Sequence, residues 1–262
     1  MQDALAKAAI VAFLDRLGQA PASALLLDYD GTLAPFQIER QQAYPYPGVL
    51  QLLESIIRCG QARVVIISGR PIAELRALLL PLHNLEIWGS HGLEHQSADG
   101  ACRQATVAPE IAVALQRAEA WLAETGLAHR TEVKPGGVAV HWRGMPEVRI
   151  QSVRTHAQKA LGSFADQPGL KLLAFEGGLE LRATQPNKGD AVAAILEESA
   201  PDTQIAFLGD DLTDEDAFRA LAERGLSVLV RSEYRETNAK AWLRPPQELI
   251  GFLEQWLSGI SR

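Results

Sequence analysis

The first third of the chain alternates short apolar runs with amphipathic segments. The apolar runs are LLLDYD (25–30), RVVIIS (63–68) and LEIWGS (85–90), and each predicts a buried strand. The two segments between them, 47–60 and 71–80, repeat apolar residues at helical spacing and predict helices. Buried strands that alternate with helices are typical of a parallel sheet covered on both faces.

The pattern changes in the middle of the chain. Its predicted elements there are a helix at 109–126, two strands within 131–142 around a Pro-Gly-Gly turn, a helix whose apolar face runs from Ile150 to Leu161, and a hairpin at 170–183 that turns near Gly177 and Gly178. This order of helix, hairpin, helix and hairpin predicts a small α+β unit and not a continuation of the parallel sheet.

The first pattern then returns. Its elements are a helix at 188–199, a strand at 204–211, a helix at 214–225, a strand at 226–230 and a final helix near 246–258. The N-terminal segment also predicts an amphipathic helix. We therefore predict an α/β core, formed by residues 1–95 and 185–262, into which an α+β unit of residues 96–184 is inserted.

Charge and composition narrow the possible partners. The chain has 25 basic and 32 acidic residues, a net charge of −7, so it has no field that would gather nucleic acid or an anionic membrane. Cys59 and Cys102 lie in unrelated contexts without metal-binding spacing. No signal peptide is evident, and no apolar stretch reaches the roughly 18 residues of a membrane span. We expect a cytoplasmic monomer or small homo-oligomer that binds neither nucleic acid nor membrane.

Polar side chains follow three of the predicted strands. Asp28 and Asp30 end the first, Ser68 follows the second, and Asp210 ends the strand at 204–211. Ligands of open α/β sheets bind at the carboxyl ends of the strands, so neighbouring strands would bring these carboxylates to one place. Converging carboxylates suit Mg²⁺, which prefers oxygen ligands. The alternative for each acid alone is that it caps a turn or the following helix.

The set of motifs resembles the haloacid dehalogenase superfamily. DYDGTL (28–33) is similar to its DxDGT signature, and Ser68, Lys188 and GDDLTD (209–214) match its other three motifs in order. The resemblance covers both halves of the predicted core. It implies a Rossmann-like parallel-sheet core with an inserted α+β cap, and a phosphoryl-transfer mechanism.

The resemblance implies a role for each residue. Asp28 would attack phosphorus and form an aspartyl-phosphate, while Asp30 would act as general acid and then as general base. Their spacing agrees with this, because residues two apart in an extended segment point the same way. Thr32, Ser68 and Lys188 would bind the phosphoryl oxygens. The alternatives are a turn serine at Ser68 and a solvated helix start at Lys188, where the helix dipole disfavours a lysine.

The resemblance also implies the cofactor. Mg²⁺ would be held by Asp28, the backbone carbonyl of Asp30 and Asp210, and it would let a carboxylate approach a phosphate dianion. Asp211 and Asp214 are further candidates, either as ligands or as residues that orient the ligands.

The predicted strands of the inserted unit have one apolar and one polar face. In VAVHWR (138–143) and LELRA (179–183), apolar and polar side chains alternate. The apolar faces would pack on the two helices of the unit. The polar faces would bring together His141, Arg143, Glu180 and Arg182. This polar face is either a sugar-binding wall or an ordinary solvated sheet face.

Four longer segments are similar to the trehalose-6-phosphate phosphatases, a family within that superfamily. They are GSHGLE (89–94), KPGGVAVHWR (134–143), LELRATQPNKG (179–189) and GDDLTDEDAF (209–218). This similarity runs across nearly the whole chain. One departure is Trp142, where the family often has tyrosine.

The family resemblance implies substrate contacts. Those expected in the inserted unit are Lys134, His141, Arg143 and Glu180, and those expected near the hinge are His91 and Glu94. Arg70, which follows the strand at 63–68, is a further candidate for substrate binding. Two of these residues have ordinary alternatives, because Arg70 could pair with a surface acid and Lys134 could be a turn lysine.

The expected function is Mg²⁺-dependent hydrolysis of trehalose 6-phosphate, a small-molecule sugar phosphate. The alternatives are a phosphatase for another sugar phosphate, such as sucrose phosphate or mannosylphosphoglycerate, and a non-catalytic module that binds sugar phosphates. Both aspartates of DYD, together with Ser68 and Lys188, are present, which disfavours the non-catalytic module.

Overall fold

The computed structural model describes residues 2–175 and 177–261. Met1, Arg262 and Glu176, which belongs to the predicted hairpin at 170–183, lie outside them. The chain forms two compact units. The core unit comprises the residues up to Arg103 and those from Lys188 onward, and the inserted unit comprises Gln104–Asn187.

The helices and strands are listed here in chain order. They are α1 (Gln2–Leu17), β1 (Ser23–Leu27), α2 (Val49–Cys59), β2 (Ala62–Ile67), α3 (Ile72–Leu78), β3 (Glu86–Gly89), β4 (Glu94–Gln96), β5 (Cys102–Gln104), α4 (Pro109–Glu124), β6 (Thr131–Lys134), β7 (Gly137–His141), α5 (Glu147–Ala165), β8 (Leu170–Phe175), β9 (Gly178–Ala183), α6 (Lys188–Glu198), β10 (Gln204–Gly209), α7 (Glu215–Leu221), β11 (Gly225–Val230), β12 (Ala241–Leu243) and α8 (Gln247–Ile260). No helix among the described residues has the length and apolar character needed to cross a bilayer.

The large sheet has the strand order β12-β11-β10-β1-β2-β3-β4-β5. The strands from β12 to β3 pair in parallel, which confirms the predicted parallel sheet. β4 pairs antiparallel with β3 and was not predicted, nor were β5 and β12. β4 and β5 continue this sheet beyond β3, and the inserted unit begins at Gln104, the last residue of β5.

β1 lies at the centre of the sheet, between β10 and β2. All five of its residues are buried. Leu25 and Leu27 pack into an apolar cluster with α1, α2 and α8, whereas Ala24 and Leu26 pack into a second cluster with α6 and α7. Successive side chains of a strand point to opposite faces of the sheet. Because both faces are covered here, every position of β1 is apolar or small, which is why its sequence is a continuous run.

The inserted unit contains a four-stranded antiparallel sheet in the order β6-β7-β9-β8. One face packs on α4 and α5 through Val138, Val140, Leu179 and Leu181, as the alternation predicts. The cluster they form contains no residue of the core unit among the residues described. The inserted unit therefore has an apolar core of its own.

We predict that Leu26→Ala lowers the free energy of unfolding by about 2–5 kcal/mol, because it opens a cavity at the centre of the large sheet. The matched control is Leu80→Ala at a leucine that is 73% exposed, and its effect should stay within about 0.5 kcal/mol. Urea denaturation followed by tryptophan fluorescence measures both. Equal losses for the two variants would contradict the central position of β1.

Candidate active site

The site begins where three neighbouring parallel strands end. Asp28 follows β1, Ser68 follows β2, and Asp210 follows β10. Since β1 pairs in parallel with both other strands, the three ends lie at one edge of the sheet. The backbone amide of Asp28 donates to the carbonyl of Leu208 at 2.8 Å, which continues the pairing past the end of β1. The strand neighbours that the sequence analysis required are thus present.

Three buried carboxylates meet at this edge. Oxygens of Asp28, Asp210 and Asp214 lie within 4.8 Å of one another. Burial raises the pKa of Asp28 to about 7, against the opposing effect of Lys188 and with a further contribution from Asp214. Burial, and then the charge of Asp28, also raise the pKa of Asp210 well above its ordinary value. Burial and mutual repulsion destabilise the ionised form of these carboxylates, and a hard divalent cation among their oxygens would stabilise it. The cluster therefore fits such a cation.

Lys188 provides positive charge inside this cluster. It is the first residue of α6, and its Nζ donates to Asp28 Oδ1 at 2.6 Å and to Asp214 Oδ1 at 2.7 Å. Burial alone would lower the pKa of Lys188, but Asp214 and Asp28 together raise it above its ordinary value. A lysine at a helix start is disfavoured by the helix dipole, and these two carboxylates compensate for that position.

Asp214 organises the turn that carries Asp210. Its Oδ2 accepts hydrogen bonds from the backbone amides of Asp210 and Asp211, both at 3.0 Å. The Asp211 carboxylate accepts from the amide of Leu212 at 2.8 Å, as a helix cap does. Asp214 therefore joins the carboxylate cluster and also holds the backbone of the turn. Gly209 permits this approach, because a Cβ there would lie 2.4 Å from Asp214 Cγ.

The turn after β1 is shaped by Gly31 and Thr32. Gly31 has a φ of +80°, and a Cβ there would lie 2.1 Å from Asp210 Oδ2, so glycine is required on both counts. The Thr32 hydroxyl donates to Asp28 Oδ2 at 3.2 Å. With Lys188 on Oδ1, both oxygens of the Asp28 carboxylate have a donor.

Asp30 forms a bidentate ion pair with Arg70. Nε and Nη2 of Arg70 donate to the two carboxylate oxygens, each at 2.6 Å. Arg70 is only 2% exposed and also donates to Glu74 and to the backbone carbonyl of Arg40. In this structure Arg70, a candidate for substrate binding, is thus paired with Asp30, the aspartate expected to act as general acid and base, and with Glu74.

The remaining core-unit candidates shape the loops beside Arg70. The buried Ser68 hydroxyl accepts from the backbone amide of Arg70 at 3.2 Å. Glu94 accepts from the amide of Ile72 at 3.2 Å, where α3 begins, and from Ser90 Oγ at 2.7 Å. His91 has a φ of +57°, and its ring lies against the backbone that follows Ser68.

The polar face of the small sheet carries a second cluster. Glu180 is 2% exposed, and its Oε1 accepts from Lys134 Nζ at 3.3 Å. His141 Nε2 lies 2.7 Å from Glu132 Oε2, and Lys134 Nζ lies 3.7 Å from the same oxygen. The unit thus brings Lys134, His141 and Glu180 onto one face, while Arg143 lies beside Gly177.

Glu132 was missed by the sequence analysis. It pairs across the sheet with Ala139, which pairs in turn with Glu180. The signal that could have identified Glu132 was the alternation in TEVK (131–134), which places it on the same face as Lys134. The segment that resembles the family, KPGGVAVHWR (134–143), begins two residues after Glu132 and does not include it.

Comparison with solved structures identifies the fold. The C-terminal domain of C. albicans trehalose-6-phosphate phosphatase superposes with a TM-score of 0.82 at 21% identity, covering 95% of this chain and 96% of that one. A haloacid dehalogenase-like hydrolase from B. subtilis superposes with a TM-score of 0.62 at 13% identity, covering 88% and 99%. The core unit therefore has the haloacid dehalogenase fold.

Comparison with sequences identifies the family. A curated trehalose-phosphate phosphatase of Mycobacterium marinum is 30% identical over 92% of this chain, which spans 63% of that protein's length. The family model described as trehalose-phosphatase matches residues 26–246, from within β1 to the residue before α8. That match takes in the three strand ends, Lys188 and the whole inserted unit, and the chain belongs to the trehalose-phosphatase family.

Proposed function

We propose that the protein is a Mg²⁺-dependent phosphatase that hydrolyses trehalose 6-phosphate to trehalose and phosphate. The observation that carries this proposal is the buried cluster at the strand ends, in which Lys188 contacts Asp28 and Asp214 within 2.7 Å. The printed names of the related proteins support the choice of substrate. The reaction proceeds in two half-reactions that use the same two aspartates.

In the first half-reaction, a carboxylate oxygen of Asp28 attacks phosphorus, and the bond from phosphorus to the sugar oxygen breaks. Asp30 in its acid form gives a proton to that leaving oxygen. Thr32 and Lys188 hold the Asp28 carboxylate in one orientation before the attack. Ser68 and Lys188 then supply donors to the phosphoryl oxygens.

In the second half-reaction, water attacks the phosphorus of the aspartyl-phosphate and releases inorganic phosphate. Asp30, now ionised, accepts a proton from that water and returns to its acid form. Arg70 contacts both oxygens of the Asp30 carboxylate, which fixes the position of the group that takes this proton. Asp28 leaves the cycle as a free carboxylate.

The proposed ligands of Mg²⁺ are Asp28, Asp210 and the backbone carbonyl of Asp30, with Asp214 as a fourth candidate. When bound, the ion neutralises negative charge, so that a carboxylate can approach a phosphate dianion. The raised pKa values of Asp28 and Asp210 support this site, because a cation would stabilise the ionised form of both residues.

The polar face of the inserted unit is the proposed binding surface for the sugar. Glu180 and Glu132 can accept hydrogen bonds from sugar hydroxyls, and Lys134 and His141 can donate to them. Arg143 is a further candidate at the end of this face. A carboxylate would repel the phosphate, so Glu180 is assigned to the sugar and not to the phosphoryl group.

The proposed function predicts phosphate release from trehalose 6-phosphate that requires Mg²⁺ and is abolished by EDTA. Sucrose 6-phosphate presents different hydroxyl groups to the polar face, so it should react at least about tenfold more slowly. Asp28→Asn should reduce kcat about a thousandfold or more, because an amide cannot act as the nucleophile. Asp202→Asn, on an exposed loop, is the matched control and should retain full activity. An Asp28→Asn protein with activity within tenfold of the wild type would refute the mechanism.

The polar face predicts a selective effect of Glu180→Gln. A hydrogen bond to a charged group contributes roughly 1.5–3 kcal/mol, so kcat/KM for trehalose 6-phosphate should fall about ten- to a hundredfold. The value for p-nitrophenyl phosphate, which lacks the sugar, should change little. Glu119→Gln, on the exposed face of α4, is the control for the inserted unit. Equal losses on the two substrates would show that Glu180 acts in folding or on phosphate.

The raised pKa of Asp28 predicts how stability depends on pH. Between its unfolded value of 3.8 and about 7, the native protein holds a proton that the unfolded chain has released. In EDTA the free energy of unfolding should therefore fall as the pH rises through this range. Mg²⁺ competes with the proton, so it should raise the melting temperature more at pH 7 than at pH 5. An equal rise at both pH values would contradict the assigned site.

A further inference from the structure

The loop between β11 and β12 contacts the backbone of the turn at residues 210–214, which carries Asp210 and is called the acidic turn below. Nε of Arg235 donates to the carbonyl of Asp210 at 3.3 Å, and its Nη2 donates to the carbonyl of Asp211 at 2.8 Å. The guanidinium group thus binds two successive carbonyls of the turn that carries the Asp210 carboxylate. None of the motifs in the sequence includes Arg235.

The guanidinium group is itself held in place. Its Nη1 donates to Glu215 Oε1 and to the carbonyl of Glu236. Glu215 is 9% exposed and accepts three further hydrogen bonds, from Thr237 Oγ1 at 2.7 Å and from the amide and Nδ2 of Asn238, both at 2.8 Å. Both oxygens of Glu215 are therefore engaged, and the anchor of the arginine is rigid.

The acidic turn is consequently held from two sides. Asp214 accepts hydrogen bonds from the amides of Asp210 and Asp211, and Arg235 donates to the carbonyls of the same two residues. Because the backbone amide and the backbone carbonyl of both residues are hydrogen-bonded, the backbone of Asp210 has little freedom to move. The direction of the Asp210 carboxylate is then set largely by its side-chain rotamer.

We propose that Arg235 is a positioning residue, which fixes the acidic turn so that the Asp210 carboxylate is already in place to bind the divalent cation. The inference rests on the proposed function for the identity of that cation. Asp28, Asp210 and Asp214 repel one another, so a freer turn would let Asp210 move away from the other two. Mg²⁺ would then have to order the turn as it binds, and its affinity would fall.

The test is the affinity of Arg235→Gln for Mg²⁺, measured by isothermal titration calorimetry of the full chain without substrate. Loss of a group that orients a metal ligand should raise the Mg²⁺ dissociation constant about ten- to a hundredfold. Because the turn can still be ordered by excess metal, kcat at saturating Mg²⁺ should stay within a few-fold of the wild type. Arg235→Lys keeps the charge but loses the planar fork, so it too should bind Mg²⁺ more weakly.

The matched control is Arg224→Gln. Arg224 also donates to two successive carbonyls, those of Ala200 and Pro201, on an exposed part of the same unit. This variant should bind Mg²⁺ like the wild type. Melting temperatures in EDTA for all variants separate a loss of stability from a loss of metal affinity.

The results distinguish a failure of the proposed Mg²⁺ site from a failure of the positioning role of Arg235. A wild-type protein that binds no Mg²⁺ would refute the proposed metal site, and the inference with it. Wild-type binding together with an unchanged dissociation constant in Arg235→Gln and Arg235→Lys would overturn the inference alone. If Arg235→Gln does not fold, Arg235→Lys and Glu215→Gln carry the test, since the latter weakens the anchor of the guanidinium group. Normal Mg²⁺ affinity in both would also overturn it.

Discussion

The repulsion among Asp28, Asp210 and Asp214 is the constraint on which the rest of the site depends. Three buried carboxylates within 4.8 Å would not stay together without compensation. Lys188 supplies positive charge through two short hydrogen bonds, and Arg231 Nη1 lies 4.0 Å from Asp210 Oδ2. Burial and the neighbouring carboxylates nevertheless raise the pKa of Asp28 and of Asp210. In the proposed function, a divalent cation would offset the negative charge that remains on the cluster.

The backbone around the cluster also holds the three carboxylates together against this repulsion. β1 lies between two parallel strands, and both of its faces are packed, so the position of Asp28 is set by the sheet. Gly31 and Gly209 allow the turns to approach Asp210 and Asp214 more closely than any residue with a Cβ would. Because these strands and turns are tightly packed, the free energy of folding holds the carboxylates in their positions against the repulsion between them.

Much of this arrangement could be predicted from the sequence, because it depends on local patterns. Continuous apolar runs identified the buried strands, and the acids at their ends identified the edge where Asp28 and Asp210 meet. β4, β5 and β12 were missed because strands of three residues are too short to show a period. Arg235 was missed for another reason. It acts on backbone carbonyls from an irregular loop, and a pattern of side chains does not record such a contact.

The separate apolar cores have a consequence for how this chain can change over evolutionary time. Among the described residues, the cluster that α4 and α5 form with the small sheet includes no side chain from the core unit. Substitutions on the polar face of that sheet can accumulate without repacking the strands that carry the acids. In the proposed function, the acids act in phosphoryl transfer and the polar face contacts the sugar, so the two sets of residues would come under separate selection. A lineage would then be able to exchange one sugar alcohol for another while it keeps the same proposed nucleophile.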